Sequence, residues 1–217
     1  SIVQPALPDA DRALVASARI KLLAARGKRV RPHRDDKILT AWNGMMLGAF
    51  ARGYGVLGDE EFRVTAQRNL EFLQTRLWDP ATRTLSNRWR DGHRDSVQLL
   101  DAYANLLAGV TDLYEVTLDP RHLQFAVDLA EGMIARFHDP EAGGFWQSVA
   151  DAPDLLMRTK DDYDGAEPGG NSVAALVLLK LSAICDRQDW RLAAEKTLRL
   201  FAQRLHQMPH AVPHLLL

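Results

Sequence analysis

The 217-residue chain lacks the features that mark several protein classes. Its single cysteine, Cys185, excludes an internal disulfide, a CxxC redox motif and a cysteine zinc site. Lys and Arg number 27 against 28 Asp and Glu, so the basic excess typical of nucleic-acid-binding proteins is missing. The longest apolar run, residues 173–181, is interrupted by Lys180 and is far shorter than the roughly 20 residues of a membrane span. We therefore expect no nucleic-acid partner and no membrane association.

Targeting and cofactor motifs are equally scarce. Residues 1–5 show neither the basic nor the apolar part of a signal peptide, and together with the lack of disulfides this favours a cytoplasmic location. His206, His210 and His214 follow one another at steps of four, but Pro209 and Pro213 between them prevent one regular helix. We therefore predict no metal and no cofactor.

Seven segments have the apolar spacing of α-helices. They cover residues 11–25, 40–57, 59–77, 97–116, 121–137, 171–184 and 190–205. Three of them are apolar nearly all round, and each of these is followed by a segment with a single apolar stripe. A helix that is apolar on all sides is buried, whereas a helix with one stripe lies outside. The sequence therefore predicts an all-α fold of inner and outer helices, with short β-hairpins at residues 82–89 and 145–149.

The helical pairs repeat along the chain. Asp59 and Phe62 recur as Asp119 and His122 at an offset of 60 residues, and a looser third copy follows. A period near 60 favours helical hairpins joined by long connections. The links from inner to outer helices are short, whereas residues 78–96 and 138–170 form long links from outer to inner helices. The long loops should therefore lie together at the N-terminal ends of the inner helices, where function usually resides.

Three polar clusters precede the inner helices and should meet at this end. They cover residues 29–37, 88–95 and 160–172. Together they supply carboxylates, cations, histidine and aromatic rings. This mixture is typical of carbohydrate sites, in which aromatic rings stack on sugars and paired acids transfer protons. The pattern predicts a sugar as the ligand.

Particular side chains in these clusters are candidates for the chemistry. The candidate catalytic residues are His33, Asp35, Asp36, Asp161 and Asp164. The candidates for substrate binding are polar or aromatic residues in or just after the clusters: Arg31, Lys37, Trp42, Asn43, Asp101, Tyr103, Lys160, Asp162, Tyr163, Glu167 and Asn171. Asp35 or Asp36 could instead cap the following helix. Asp101 is harder to explain structurally, because a buried carboxylate on an apolar helix needs a partner.

Two of the clusters resemble signature segments of a known family. Residues 31–44 read RPHRDDKILTAWNG and residues 160–175 read KDDYDGAEPGGNSVAA; residues 100–115 match a third segment less closely. These segments are similar to those of thioredoxin-domain proteins related to spermatogenesis-associated protein 20. The family pattern differs at two positions: Ala102 separates Asp101 from Tyr103, and Gly169 replaces a serine.

The resemblance implies a fold and a domain organisation. Family members are expected to have an N-terminal thioredoxin-like domain and then an (α/α)6 toroid similar to N-acylglucosamine 2-epimerases and six-hairpin glycosidases. Residues 1–26 would be the leading helix of a preceding hairpin, and residues 27–217 would form half of the toroid. The thioredoxin domain and the missing hairpins would then lie outside this chain and be its intramolecular partners.

Two classes of function are consistent with these observations. The first is a carbohydrate-active domain, either an epimerase using His33 and His93 or a hydrolase using Asp35 or Asp36 with Asp161, Asp162 or Asp164. The second is a non-catalytic module that binds a sugar or peptide or docks the thioredoxin domain. Acids that share one pocket and have raised pKa values would favour the enzyme.

An open half-toroid also predicts self-association. The last inner helix has Val173, Leu176, Val177 and Leu179 on a flank that no further hairpin of this chain covers. Exposed apolar patches of more than a few hundred Å² usually mark an interface. We therefore expect that the chain on its own either pairs with a second copy along this edge, as a homodimer, or is poorly soluble.

Overall fold

The computed structural model describes residues 8–152 and 155–217, apart from the side chain of Ala10. The chain divides into two compact units, Ser1–Asp36 and Lys37–Leu217. In the described part of the first unit, helix α1 (Asp9–Gly27) is followed by an irregular segment. Every described side chain of α1 is exposed. The predicted helix at residues 11–25 lies within α1.

The second unit contains the other helices that the structure describes. They are α2 (Thr40–Leu57), α3 (Glu60–Arg76), α4 (Leu100–Thr117), α5 (Pro120–Phe137), α6 (Gly170–Cys185), α7 (Gln188–Leu200) and α8 (Ala202–Gln207). Helix α4 packs between α2 and α6, while α3, α5 and α7 each pack against the inner helix that precedes them. Helix α4 is buried along most of its length, whereas α3 buries only Ala66, Leu70 and Leu73. These arrangements confirm the predicted all-α fold of inner and outer helices.

Small residues allow the first two inner helices to approach closely. A Cβ atom at Gly109 of α4 would lie 2.2 Å from the backbone oxygen of Gly44 in α2. A Cβ atom at Gly44 would lie 2.5 Å from the backbone nitrogen of Leu106. Any larger residue at either position would push the two helices apart, so the glycines fix their crossing.

The repeated aspartates explain where the outer helices begin. Asp59 accepts a hydrogen bond from the backbone N–H of Glu61 at 2.9 Å, and Asp119 accepts one from Arg121 at the same distance. A side-chain acceptor at this position satisfies one of the free N–H groups of the first turn. Just before each cap, the inner helix ends on a residue with positive φ, Gly58 or Leu118. The short links are therefore tight turns specified by local sequence.

The long loop between α3 and α4 contributes strands to two small antiparallel sheets, one of which also includes a strand that precedes α2. One contains β2 (Trp78–Asp79) and β3 (Thr84–Leu85); the other has the order β1 (Ile38–Leu39), β4 (Arg88–Arg90), β5 (His93–Arg94). The prediction of a short β-hairpin in this loop is therefore confirmed, but residues 82–89 contain parts of two hairpins, β2–β3 and β4–β5, instead of one. The chain reverses at positive-φ residues Arg83 and Asp91, which lie near the two ends of that segment, so its halves pair with different strands.

Two further sequence predictions differ from the structure. Residues 145–149 form isolated bridges, His138 to Phe145 and Leu99 to Ser148, instead of a hairpin. The segment predicted as one helix at residues 190–205 is divided between α7 and α8. The break is at Phe201, whose ring is 7% exposed and packs into a small core with Ala175, Val212 and Leu215. Burial of this ring takes precedence over helical continuity.

The C-terminal segment covers part of the α6 flank. Two short 3₁₀ turns, Pro209–Ala211 and Pro213–Leu216, follow α8, and the second packs against α6. Val173 and Val177 are buried, so the expectation that they lie bare is wrong. Among the helices in the described ranges, none combines the length and apolarity that a membrane span requires.

Candidate functional site

The N-terminal ends of the inner helices meet through specific contacts. Trp42 lies in the first turn of α2, and its indole Nε1 donates a hydrogen bond to Glu167 Oε1 at 2.8 Å. Asp101 lies in the first turn of α4 and accepts a hydrogen bond from the backbone N–H of Gly170, the first residue of α6. We refer to these three helix ends, with the loop of residues 160–169, as the rim. The second and third polar clusters adjoin it.

The rim contains a shallow acidic cavity of about 290 Å³. Its lining comprises Asp101, Asp161, Tyr163, Gly165, Ala166, Glu167, Pro168 and Gly169. Asp101 is half-buried, whereas Asp161, Tyr163 and Glu167 are exposed. No basic side chain occurs among these lining residues, so the three carboxyl groups share a cavity that has no lining cation.

The surroundings of Asp101 raise its pKa. Burial raises its pKa above the usual 3.8, and the charges of Asp161 and Glu167 raise it further. Hydrogen bonds from Gln147 Nε2 and from the Gly170 N–H partly offset this rise. A Cβ atom at Gly170 would lie 2.4 Å from Asp101 Oδ1, so this backbone approach requires glycine. Asp101 therefore holds a proton more readily than an ordinary aspartate.

Gln147 was missed by the sequence reasoning. The loop that carries it pairs with the residues just before α4: the backbone N–H of Leu100 donates to the carbonyl oxygen of Gln147 at 3.1 Å. Its Oε1 is buried and has no hydrogen-bond partner among the described residues. A glutamine 46 positions after Asp101, in a loop with no regular pattern, gives no sequence signal of this contact.

Two exposed aromatic rings accompany the acids. Trp42 is 55% exposed and Tyr163 is 60% exposed. The hydrogen bond to Glu167 fixes the indole while most of its surface stays accessible to solvent. Such a ring offers a flat apolar surface with a restrained orientation, which suits stacking against a sugar.

Three of the predicted site residues support the loops instead of lining the cavity. Tyr103 is fully buried, its hydroxyl donates to the carbonyl oxygen of Arg83, and burial raises its pKa. Asp164 accepts hydrogen bonds from the backbone N–H groups of Gly169 at 2.7 Å and His214 at 2.8 Å. Asn171 binds both backbone groups of Phe145. These geometries give no support to the predicted catalytic role of Asp164 or to the predicted binding roles of Tyr103 and Asn171.

Three more predicted residues are engaged in contacts away from the cavity. Lys160 Nζ lies 2.7 Å from Asp139 Oδ2, and this hydrogen bond lowers the pKa of Asp139 to about 2. Asp162 accepts a hydrogen bond from Arg204 at 2.7 Å. Asn43 donates to the carbonyl oxygen of Leu39, one helical turn earlier, at 2.8 Å. Each of these side chains connects local elements of the second unit.

The boundary between the two units along the chain falls within the first polar cluster. Arg31, His33, Asp35 and Asp36 belong to the first unit and Lys37 to the second, and all five are exposed. Their meeting with the acids of the cavity stays a prediction. In the portion of the chain that the structure describes, no group of three His, Cys, Asp or Glu residues is arranged to hold a metal ion.

Comparisons with known proteins identify sequence relatives of the chain. No family model matches it. Spermatogenesis-associated protein 20 from Mus musculus and from Homo sapiens are each 34% identical to it over 216 residues. The match covers 95% of this chain but only 27% of the mouse protein and 28% of the human protein. The chain thus spans about a quarter of the length of these curated relatives.

Two solved structures of similar fold are carbohydrate enzymes. Cellobiose 2-epimerase from Spirochaeta thermophila is 17% identical, with a TM-score of 0.64 over 80% of this chain and 44% of its own. A second structure is an α-1,6-mannanase from Salegentibacter, an inactive variant in which two aspartates are replaced by alanine, in complex with α-1,6-mannotetrose. It is 13% identical, with a TM-score of 0.62 over 85% of this chain and 52% of its own. The chain therefore has the fold of about half an (α/α) toroid of this kind and is homologous to a part of spermatogenesis-associated protein 20.

Proposed function

We propose that the acidic cavity forms part of a carbohydrate-hydrolysing site. Asp101 supplies the proton to the leaving oxygen, and Asp161 or Glu167 acts in the ionised form. The observation on which this proposal rests is the unequal environment of the acids: Asp101 is half-buried and has a raised pKa, whereas Asp161 and Glu167 are exposed at the same cavity.

Hydrolysis of a glycosidic bond needs two carboxyl groups in opposite protonation states. One must be protonated to act as a general acid, and the other must be a carboxylate that activates water or attacks the sugar. Environments that separate the pKa values of neighbouring acids create such a pair. Burial and the charges of Asp161 and Glu167 have this effect on Asp101.

The aromatic rings provide a binding surface for the sugar. Trp42 and Tyr163 are both exposed, and Trp42 is hydrogen-bonded to Glu167. A sugar stacked on the indole would therefore lie beside a carboxylate of the cavity. The cavity of about 290 Å³ matches a single sugar ring better than a long chain.

Hydrolysis fits the lining better than epimerisation. An epimerase would use proton-transferring histidines, but no histidine is among the residues that line the cavity. His93, the candidate in the second unit, is exposed on β5. Among the toroid proteins of similar fold, the α-1,6-mannanase is inactive in a variant with alanine at two consecutive aspartate positions. Carboxylates are thus a suitable basis for chemistry on this fold.

Sugar binding and turnover can be tested together by NMR. The purified chain is titrated with α-1,6-mannobiose and cellobiose, and product formation is followed in the same samples. We expect Trp42→Ala to weaken binding about tenfold. Asp101→Asn should leave binding within about threefold but reduce turnover about 100-fold. Val56→Ala, an exposed position at the other end of α2, is the matched control.

Each outcome of this experiment distinguishes the hypotheses. Binding that requires Trp42, with turnover that requires Asp101, supports the hydrolase. Binding without turnover would contradict the catalytic proposal and favour a non-catalytic sugar-binding module. Absence of binding, or equal loss in Val56→Ala and Trp42→Ala, would contradict the carbohydrate site itself.

A further inference from the structure

We propose that the first unit binds the phosphate group of a small phosphorylated ligand. The site is a basic groove formed by the end of α1 and the segment that follows it. This proposal concerns a different unit from the acidic cavity and does not depend on the hydrolase.

The charge of this segment is strongly one-sided. Residues 26–34 contain five cations and no carboxylate, although the whole chain has a net charge of −1. The cations are Arg26, Lys28, Arg29, Arg31 and Arg34. The described acids at the other end of α1, Asp9 and Asp11, lie in its first turn. Since α1 has 19 residues, a rise of about 1.5 Å per residue separates its acidic and basic ends by more than two Debye lengths.

The basic side chains line one groove of about 810 Å³. Its walls comprise Leu23, Arg26, Gly27, Arg29, Val30, Arg31, Pro32, His33 and Arg34. Four guanidinium groups and an imidazole thus share a space that no acid lines. Asp35 and Asp36 follow the segment but do not line the groove.

A structural explanation accounts for only part of this cluster. Cations are favoured in the last turn of a helix because the carbonyl end has a negative partial charge. This applies to Arg26 and to Lys28, and the backbone N–H of Lys28 also donates to the carbonyl oxygen of Ala25 at the end of α1. Arg31 and Arg34 lie beyond the helix, where that effect has faded. Their convergence on the same groove needs another reason, and a bound anion would remove the mutual repulsion of the four guanidinium groups.

The kind of cation indicates the kind of anion. Four of the five cations are arginines, whose planar donor fork matches the oxygens of phosphate in a bidentate manner. A single-stranded nucleic acid would also need aromatic rings on which bases stack, and the groove contains no Phe, Tyr or Trp. Its apolar residues, Leu23, Val30 and Pro32, suit the body of a small ligand. The groove therefore favours a small phosphorylated molecule.

Backbone amide NMR of the whole chain tests this proposal. Inorganic phosphate and glucose 6-phosphate are titrated, with chloride and glucose at matched ionic strength as reference probes. We expect saturable shifts confined to residues 26–34 with both phosphates. The double variant Arg29→Gln, Arg31→Gln should weaken binding at least about fivefold. The control Arg19→Gln, Lys21→Gln removes the same charge from α1 outside the groove and should stay within about twofold.

Saturation by inorganic phosphate alone would identify free phosphate as the ligand, whereas tighter binding of glucose 6-phosphate would identify a phosphorylated organic molecule; both outcomes support the site. The proposal is overturned if chloride gives the same shifts or if the control pair weakens binding as much as the groove pair. It is also overturned if a short single-stranded oligonucleotide binds more than about tenfold tighter than glucose 6-phosphate, because the groove would then belong to a nucleic-acid surface.

Discussion

Two aspartates on the same inner helix show how the two ends of the inner helices differ. Asp101 lies in the first turn of α4, at the rim, and Asp112 lies near the other end of the helix. Burial raises the pKa of both. Asp112 forms ion pairs with Arg52 of α2 and Lys180 of α6, so three inner helices meet around one compensated charge. Asp101 has two further acids as its charged neighbours and is stabilised by hydrogen bonds alone.

This difference distinguishes a buried acid with a structural role from a buried acid with a functional role. A buried charge needs compensation, and cations supply it at the C-terminal ends of the inner helices. At the rim the compensation is incomplete, since nearby acids disfavour the ionised state of Asp101. If Asp101 served only the stability of the fold, a cation beside it would increase that stability. The uncompensated acid is therefore the stronger candidate for chemistry.

The largest effect should come from removing the support of the rim loop. Asp164→Ala leaves the backbone N–H groups of Gly169 and His214 without their acceptor. We expect the free energy of unfolding to fall by about 2–3 kcal/mol, measured by urea denaturation. Asp151→Ala, at an exposed position, is the control. A loss below about 0.5 kcal/mol would show that the loop does not depend on Asp164.

The next largest effect should come from replacing the cation that compensates Asp112 with an acid. Lys180→Glu removes a cation from Asp112 and places a third acid beside it and Glu115. Because Lys180 is partly exposed, we expect a loss of only about 1 kcal/mol at pH 7. The loss should shrink as the pH falls and the acids become protonated. Lys180→Gln is the matched control, and an equal loss in both variants, independent of pH, would contradict the electrostatic explanation.

Neutralising each aspartate should then distinguish the two ends. The folded chain has a raised Asp101 pKa, so it binds protons more tightly than the unfolded chain, and stability falls as the pH rises from 3.8 through the folded pKa. Asp101→Asn removes this penalty and should add about 0.5 kcal/mol at pH 7, with no gain near pH 3. Asp112→Asn loses its ion pairs and should gain less. Thermal unfolding at both pH values measures this, and an equal gain in the two variants would remove the distinction.

The smallest effect should be that of salt on the pKa values of Asp101 and Asp112. Added salt screens the repulsion at the rim and the attraction at the other end. The pKa of Asp101 should therefore fall slightly as salt rises, while that of Asp112 should rise. Titrations at low and high salt compare them, and shifts in the same direction would contradict the assignment of their charged neighbours.

Much of the helical fold could be predicted from the sequence. The inner helices are apolar almost all round, as α4 requires when it packs between α2 and α6. The capping aspartates Asp59 and Asp119 lie in the repeat itself. The end at which the long loops lie followed from connection lengths alone, because short turns force antiparallel hairpins.

The remaining features depend on contacts between distant residues. Asp101 and Tyr103 are two positions apart in α4. The hydroxyl of Tyr103 bonds to the backbone of a loop, whereas Asp101 lines the cavity. Asp161 lines the cavity while Asp164 of the same loop is turned toward the C-terminal segment. Composition does not distinguish these neighbours. The strands have two or three residues each, which is too short for an alternating pattern to identify them.

The most direct test of the central claim is a ¹³C NMR titration of the carboxyl carbon of Asp101. It is made in the unmodified chain and in the double variant Asp161→Asn, Glu167→Gln. We predict a midpoint above the usual 3.8 in the unmodified chain, and a lower midpoint when the two neighbouring acids are neutralised. A midpoint at or below 3.8, or one that does not respond to the double variant, would contradict the description of the rim as a shared acidic cavity.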